Sequence, residues 1–235
     1  MRLWVFSNES YGYGAEICES CVRYASAKGL DYKIVFSAKG GAETFAPLNF
    51  ESPRNVARSL KARIGRLNKL RQLKKKLGTL PVWVANVNSA EFHEQIQSGD
   101  IGIIAGFDQI FRPVVIDRFD RFINVHPSIL PLYRGPVPSF WCIKNKERKS
   151  GYTFHRVSAA IDSGEILYQD SIEIQPGMTP AELDAAISSK AALIVPEVLS
   201  CLLSRTEFPR KTLDAYTLYA THTDYAGFPV PIGQV

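Results

Sequence analysis

The chain has 235 residues, 46% hydrophobic and 22% charged, with a net charge of +5. That is ordinary globular composition, and a chain this long can bury on the order of 70% of its unfolded surface without staples. No apolar run reaches the ~18 residues of a membrane span, and the apolar start is too short for a secretory leader. A cytoplasmic protein is therefore expected. Four cysteines, with a single C-x-x-C at Cys18 and Cys21, give neither a disulfide framework nor paired zinc ligands.

Leu3 to Ser7 reads as a buried strand. A polar, glycine-containing turn follows, Asn8 to Gly14, and then a helix from about Ala15 to Ala27 that Gly29 ends. Its inward residues are Ile17, Cys21, Tyr24 and Ala25, which leaves the C-x-x-C in mid-helix as structural thiols. Asp31 to Phe36 is the second strand. Strand, helix, strand with short connections opens a parallel α/β sheet. Gly12 and Gly14 before a helix could cradle a phosphate, but Glu9 beside them would repel one, and glycines are common in plain turns.

Residues 37–53 form an irregular connection. Residues 54–76 then carry ten Lys or Arg and no acid, so the rest of the chain holds 18 basic against 23 acidic groups. Val56, Leu60, Ile64, Leu67, Leu70, Leu73 and Leu77 recur every three or four residues, one apolar stripe on a helix that Gly65 could kink. The plain reading is a solvated helix whose basic stems cover apolar surface. The sharper one is a clamp for an anionic acceptor, a nucleotide diphosphate or an RNA phosphate. No aromatic interleaves the charges, which disfavours nucleic-acid stacking.

Pro81 to Asn86 reads as a strand and Asn88-Ser89 as the start of a helix near Ala90. Strands 101–105 and 121–125 flank a short helix from about Pro113 to Phe119. A packed helix around Trp141, a charged turn at Lys144–Lys149, and strands Tyr152–Val157 and Ile166–Ile174, expected to be antiparallel, come next. Thr179 to about Ser204 is a long helix with Pro180 in its first turn. Its inner side is Leu183, Ala186, Ala191, Ile194, Val198 and Leu202. Residues 1–204 make one α/β domain, and 205–235 a tail packed on the core or serving as an arm in a homodimer.

The stretch 100–135 carries the chemistry. Ile101 to Ala105 is an apolar run broken by Gly106. Phe122-Ile123-Asn124-Val125-His126 stops at Pro127, which cannot donate to a ladder. Asn124 and His126 are two apart and so share a face. They stand at the carboxyl end of a buried strand, where open α/β sheets bind ligands. Acyl transfer to an amine develops negative oxygen, and a donor held against it lowers the barrier by about 3–4 kcal/mol. Asn124 offers such a donor. His126 offers a charged one when protonated and can return a proton to a leaving nitrogen. A nearby carboxylate would raise its pKa, and Asp162, in the turn Ile-Asp-Ser-Gly, is the candidate. A Ser-His-Asp hydrolase is disfavoured because no Gly-x-Ser-x-Gly elbow is present.

The ordered set Ala105-Gly106-Phe107-x-x-Ile110, Asn124-x-His126-Pro127-Ser128-Ile129-Leu130-Pro131-x-Tyr133-x-Gly135, Gly151-x-Thr153-x-His155 and Ile161-Asp162-Ser163-Gly164 resembles the folate-dependent formyltransferase family. The resemblance covers roughly residues 100–170. It implies a Rossmann-like, mostly parallel sheet with an antiparallel edge after residue 150. It assigns Asn124, His126 and Asp162 to the family's three catalytic positions. It implies 10-formyltetrahydrofolate as co-substrate, held by backbone groups at Gly106, Phe107, Ile110, Ala159, Ala160 and Ile161. No metal is implied. Ser128, Tyr133, Arg134, Gly135 and His155 are the expected acceptor-side residues, Tyr133 and Arg134 suiting a sugar face and a phosphate.

Within that family, the short segment after the long helix disfavours an initiator-tRNA acceptor. A start directly on a strand disfavours formyl-folate hydrolysis, and Glu9 in the first loop disfavours glycinamide ribonucleotide. The expected acceptor is the amine of an anionic nucleotide-linked amino sugar, a small molecule, with no membrane and no nucleic acid involved. The alternatives are an amino-acid or hydroxylamine acceptor, or a non-catalytic protein binding RNA or a partner through residues 54–76.

Overall fold

In a computed structural model the described residues are 1–8, 13–38, 53–206 and 208. Most of the first turn, most of the 37–53 connection and nearly all of the 205–235 tail lie outside them. The elements are β1 (Arg2–Ser7), α1 (Ala15–Ala27), β2 (Asp31–Ser37), α2 (Pro53–Leu77), β3 (Val82–Val84), α3 (Ala90–His93), β4 (Ile101–Ile104), α4 (Pro113–Ile116), β5 (Arg121–His126), α5 (Pro138–Lys144), β6 (Lys149–Arg156), β7 (Ile166–Glu173) and α6 (Pro180–Ser204). The expected α/β class holds. One seven-stranded sheet runs β3-β2-β1-β4-β5-β6-β7. The first five strands in that row pair in parallel, and β6 and β7 are antiparallel.

Period-two alternation divides the core into two faces. Leu3, Val5, Ile103, Ile123 and Val125 join α1 and α6 on one side. Trp4, Phe6 and Phe122 join Phe92, Phe111 and Phe119 on the other. That second face is an aromatic cluster, with Phe111 and Phe122 edge to face at 4.8 Å. Along β5 the same parity that sends Phe122 into the rings puts Asn124 and His126 on that face, one turn of the pleat beyond the cluster.

The chain winds outward from β1 in both directions, so β1 and β4 flank the point where strand order reverses. The Asn8 side chain donates to the Gly106 carbonyl at 2.6 Å across this gap. A Cβ on Gly14 would run into the Ala105 carbonyl. Gly14 is therefore where the loop after β1 packs onto the end of β4, a close approach only glycine permits. That accounts for Gly14 without a phosphate; Gly12 lies outside the described residues.

Two amphipathic expectations need correction. α2 runs unbroken through Gly65. Its stripe does not all reach the core: Leu73 and Leu77 are buried, but Ile64 and Leu67 are 50% and 44% exposed. Among its described side chains, the buried ones lie in the last two turns, and the Leu77 carbonyl accepts from the Tyr32 hydroxyl. On α6 the buried face is Leu183, Ile187, Ala191, Val195, Val198 and Leu202, rotated from the expected one. Ala186 and Ile194 are only half-buried. By length and composition α6 could cross a membrane, although no long apolar run was expected; its buried face packs on α1, where Ser20 donates to the Ala192 carbonyl at 2.7 Å. A full capping box at Thr179 and Glu182 starts it. Cys18 and Cys21 are buried free thiols, as the mid-helix position suggested. Burial pushes the Cys18 thiol up to about 12.

Candidate active site

Three segments meet at the carboxyl end of β5. The strand itself supplies Asn124 and His126. The loop 127–137 folds back over them. The turn between β6 and β7 brings Asp162 across the top.

The loop is held by a buried polar net. Thr153 on β6 donates to the Ser128 carbonyl at 2.7 Å and accepts from the Leu130 N–H at 3.1 Å. Gln169 on β7 donates to Thr153 and to the Leu130 carbonyl, at 2.9 and 2.7 Å. Every lone pair and proton of the Thr153 hydroxyl is thereby used, as a group with no water access requires. The Asp162 turn is fixed from below. A Cβ on Gly164 would strike the Arg156 carbonyl, so the chain leaves the turn flush against β6. Asp162 itself has φ +48, a left-handed conformation that Asp tolerates better than most residues.

Asp162 is the hub. Its Oδ2 accepts from the Gly135 N–H at 2.8 Å and lies 3.4 Å from His126 Nδ1. Its Oδ1 accepts from Asn124 Nδ2 at 3.2 Å and lies 3.6 Å from His155 Nε2. Hydrogen-bond logic fixes the ring states. His155 Nδ1 lies 2.9 Å from the Arg156 carbonyl, which can only accept, so Nδ1 carries the proton. His155 Nε2 then accepts from Asn124 Nδ2 at 3.1 Å. Both N–H groups of Asn124 are thus directed at acceptors. The same rule places a proton on His126 Nε2, which donates to the Tyr133 carbonyl at 2.8 Å. In the neutral ring, Nδ1 is a bare lone pair facing Asp162.

The electrostatics differ from the sequence expectation in one respect. Burial pushes the His126 pKa down, and Asp162 and the Tyr133 carbonyl only partly offset it, so the net direction is below the ordinary value. The ring is nearly inaccessible, and desolvation outweighs one carboxylate. Burial would raise Asp162, but His126, His155 and the Gly135 N–H outweigh it and hold the carboxyl well below the usual range. The two directions together favour a carboxylate beside a neutral imidazole, with His126 Nδ1 on the Asp162 side.

Of the other expected residues, some reach the site and some do not. His155 is buried and orients Asn124. Gly135 holds Asp162 through its backbone. Arg134 sits beside the site with its Nε buried and unpartnered among the described residues, and its charge also lowers the His126 pKa. Ser128 and Tyr133 are corrections. Ser128 is wholly buried, and its hydroxyl donates to the Leu132 carbonyl at 2.6 Å. The Tyr133 ring is buried in the core and its hydroxyl donates to Glu147 at 2.6 Å. Neither side chain can touch a ligand. The proline-rich loop needed internal anchors, and sequence reading assigned them outward. Gly106, Phe107 and Ile110 line the end of β4. The Phe107 ring packs on Phe6 and Phe111, while Ile110 is 64% exposed. Ala159, Ala160 and Ile161 form the turn just before Asp162, where the Ala160 carbonyl accepts from Ser158 and Ser163. Sequence reading missed Gln109. It is buried four residues after Ala105, and it ties Val87, Val84 and Ser37 together. Its only sequence signal was a polar residue between Phe107 and Phe111.

An amide and an imidazole on β5 thus meet a carboxylate from the β6–β7 turn at the carboxyl end of a mostly parallel sheet. The family model described as formyl transferase matches residues 70–199. The chain belongs to the formyl transferase family. Methionyl-tRNA formyltransferase of Acidobacterium capsulatum is 32% identical over 137 residues, 57% of this chain and 44% of that protein. The one from Solibacter usitatus is 36% identical over 119 residues, 50% and 38% of the two chains. This chain thus spans less than half the length of those curated relatives. Among solved structures, glycinamide ribonucleotide transformylase 1 from Symbiobacterium toebii aligns with TM-score 0.65 at 17% identity, over 90% of this chain and 92% of that one. A sugar N-formyltransferase from a Shewanella species aligns with TM-score 0.62 at 18% identity, over 90% and 74%. These likenesses establish a shared fold.

Proposed function

We propose that the protein is an N-formyltransferase that moves a formyl group from 10-formyltetrahydrofolate to a primary amine on a phosphate-bearing acceptor, a nucleotide-linked amino sugar. The observation that carries the reading is the Asn124–His126–Asp162 constellation, with His126 Nδ1 set 3.4 Å from the Asp162 carboxylate.

His126 Nδ1 takes the proton that the acceptor amine loses as it attacks. The Asp162 carboxylate stabilises the imidazolium so formed, and the ring then delivers that proton to the departing nitrogen. Nε2 stays bonded to the Tyr133 carbonyl throughout, so the ring does not turn. Asn124 donates to the formyl oxygen as charge develops there. The N–H it gives up is the one on Asp162, the longer of its two bonds. His155 keeps the amide from rotating.

The co-substrate supplies the activated formyl group. Its ring would be held by backbone groups of 106–110 and 159–161. The exposed residues there are Ile110, Ala159 and Ala160, with the Asp108 carboxylate beside them. On the acceptor side, Arg134 Nε, unpaired among the described residues, supports an anionic group; α2 adds an exposed basic face, Lys61, Arg71, Lys74 and Lys75, whose last turn lies by the start of β2. The same basic helix and the methionyl-tRNA relatives favour a second reading, an aminoacylated tRNA.

A thermal-shift and turnover panel with 10-formyltetrahydrofolate tests both. It comprises amino-sugar nucleotides, glycinamide ribonucleotide and charged initiator tRNA. Folate consumption that requires an amino-sugar nucleotide supports the first reading, and consumption only with tRNA replaces it with the second. Salt-sensitive RNA binding with no turnover on any amine would leave a non-catalytic protein.

A further inference from the structure

Tyr133 is built into the frame of the proline loop, and its backbone touches the site where its side chain does not. Its φ is +53, a left-handed conformation unfavourable for any residue with a Cβ. That conformation aims its carbonyl at His126 Nε2. Two residues on, the Gly135 N–H holds Asp162. One short segment therefore grips both members of the pair, accepting from the histidine and donating to the carboxylate. Whatever fixes this segment fixes the tautomer of His126 and its distance from Asp162.

The end of α5 supplies the anchor. The Glu147 N–H bonds back to the Cys142 carbonyl at 3.0 Å and the Lys146 N–H to Ile143 at 3.0 Å. Lys146 is left-handed, φ +58. This is a Schellman end, which locks the residues around it in place. It presents Asn145 and Glu147 to the Tyr133 phenol: the hydroxyl donates to Glu147 Oε1 at 2.6 Å and accepts from Asn145 Nδ2 at 3.1 Å. A short bond to a carboxylate is among the stronger hydrogen bonds a phenol can make.

We infer that Glu147 and Asn145 are positioning residues for the proposed transfer. Through the Tyr133 phenol they hold the backbone that selects the Nε2-protonated tautomer of His126 and sets its approach to Asp162. This rests on His126 being the proton carrier, and the test separates the two ideas. Nitrogen-15 spectra of the full chain report the protonation of each ring nitrogen; His126 is identified among the four histidines by difference against His126→Gln. In the unmodified protein His126 shows one tautomer, with Nδ1 bare. In Tyr133→Phe and Glu147→Leu both tautomers are populated, the acidic limb of the pH profile moves, and kcat falls roughly ten- to a hundred-fold with KM nearly unchanged, as sub-ångström misplacement produces. Glu147→Gln keeps an acceptor for the phenol and restores the single tautomer and most of kcat. If Tyr133→Phe does not fold, Glu147→Leu against Glu147→Gln carries the comparison. A single tautomer and an unmoved pH limb in Glu147→Leu would overturn the inference. Glu147-dependent tautomers in a protein that transfers no formyl group would uphold the positioning role and sink the catalytic reading.

Discussion

Replacing Asp162 with Asn removes one charge and keeps the shape. The turn tolerates the change, because Asn is at least as comfortable as Asp at φ +48. The amide oxygen can keep the Gly135 N–H, while the new N–H₂ replaces the oxygen that accepted from Asn124, so Asn124 keeps His155 Nε2 as its acceptor. What disappears is the field on His126. A unit charge 3.4 Å from Nδ1 stabilises the imidazolium by about 5 kcal/mol at an effective dielectric near 20. If half to all of that acts in the transition state, turnover falls by about 10² to 10⁴, at 1.36 kcal/mol per tenfold. The assay is single-turnover release of tetrahydrofolate from 10-formyltetrahydrofolate, using the acceptor found in the panel, with circular dichroism to show an intact fold. A folded Asp162→Asn protein within about threefold of the unmodified rate would refute the proposed role of the carboxylate.

His126→Ala should lose nearly all turnover while remaining folded; normal rates in the same assay would contradict the mechanism. The unmodified enzyme should hold kcat/KM above pH ~6.5 and lose it on acidification, because burial puts the His126 pKa below the free value and the working form is neutral. Stability moves the same way. A histidine with a lowered folded pKa contributes above ~6.5 and loses that contribution below it, and Asp162, also lowered, does the same below ~3.9. An acidic limb above pH 7 in the rate, or stability rising on acidification, would reverse the sign. Finally, Lys74→Glu with Lys75→Glu should raise the acceptor KM several-fold at low salt and less at high salt; an unchanged KM would reduce α2 to a solvated face.

The site was legible in part because strand periodicity is local. Asn124 and His126 two apart before Pro127 must share a face at a strand end, whatever else the chain does. The order of motifs then brought Asp162 to them by resemblance, and the structure sets it 3.2 and 3.4 Å away. The outward assignments of Ser128 and Tyr133 failed for a physical reason. Serine and tyrosine in a proline-rich loop look like ligand contacts, yet an irregular buried loop has backbone groups that only side chains of its own can satisfy. α2 failed similarly. Its stripe is periodic throughout, but periodicity does not say where the core ends, and Ile64 and Leu67 lie beyond it.

What the sequence by itself determined was the alternation of elements, the parallel sheet with its antiparallel edge, and the polar pair at the end of β5. These follow from short-range pattern, since side-chain period and proline geometry act within a few residues. Only the tertiary structure decided the protonation pattern. The Tyr133 carbonyl, the Gly135 N–H and the Arg156 carbonyl come to the three side chains through backbone turns that no residue type announces. Burial, which depends on every element at once, pushes the His126 pKa down where a neighbouring carboxylate alone was expected to raise it.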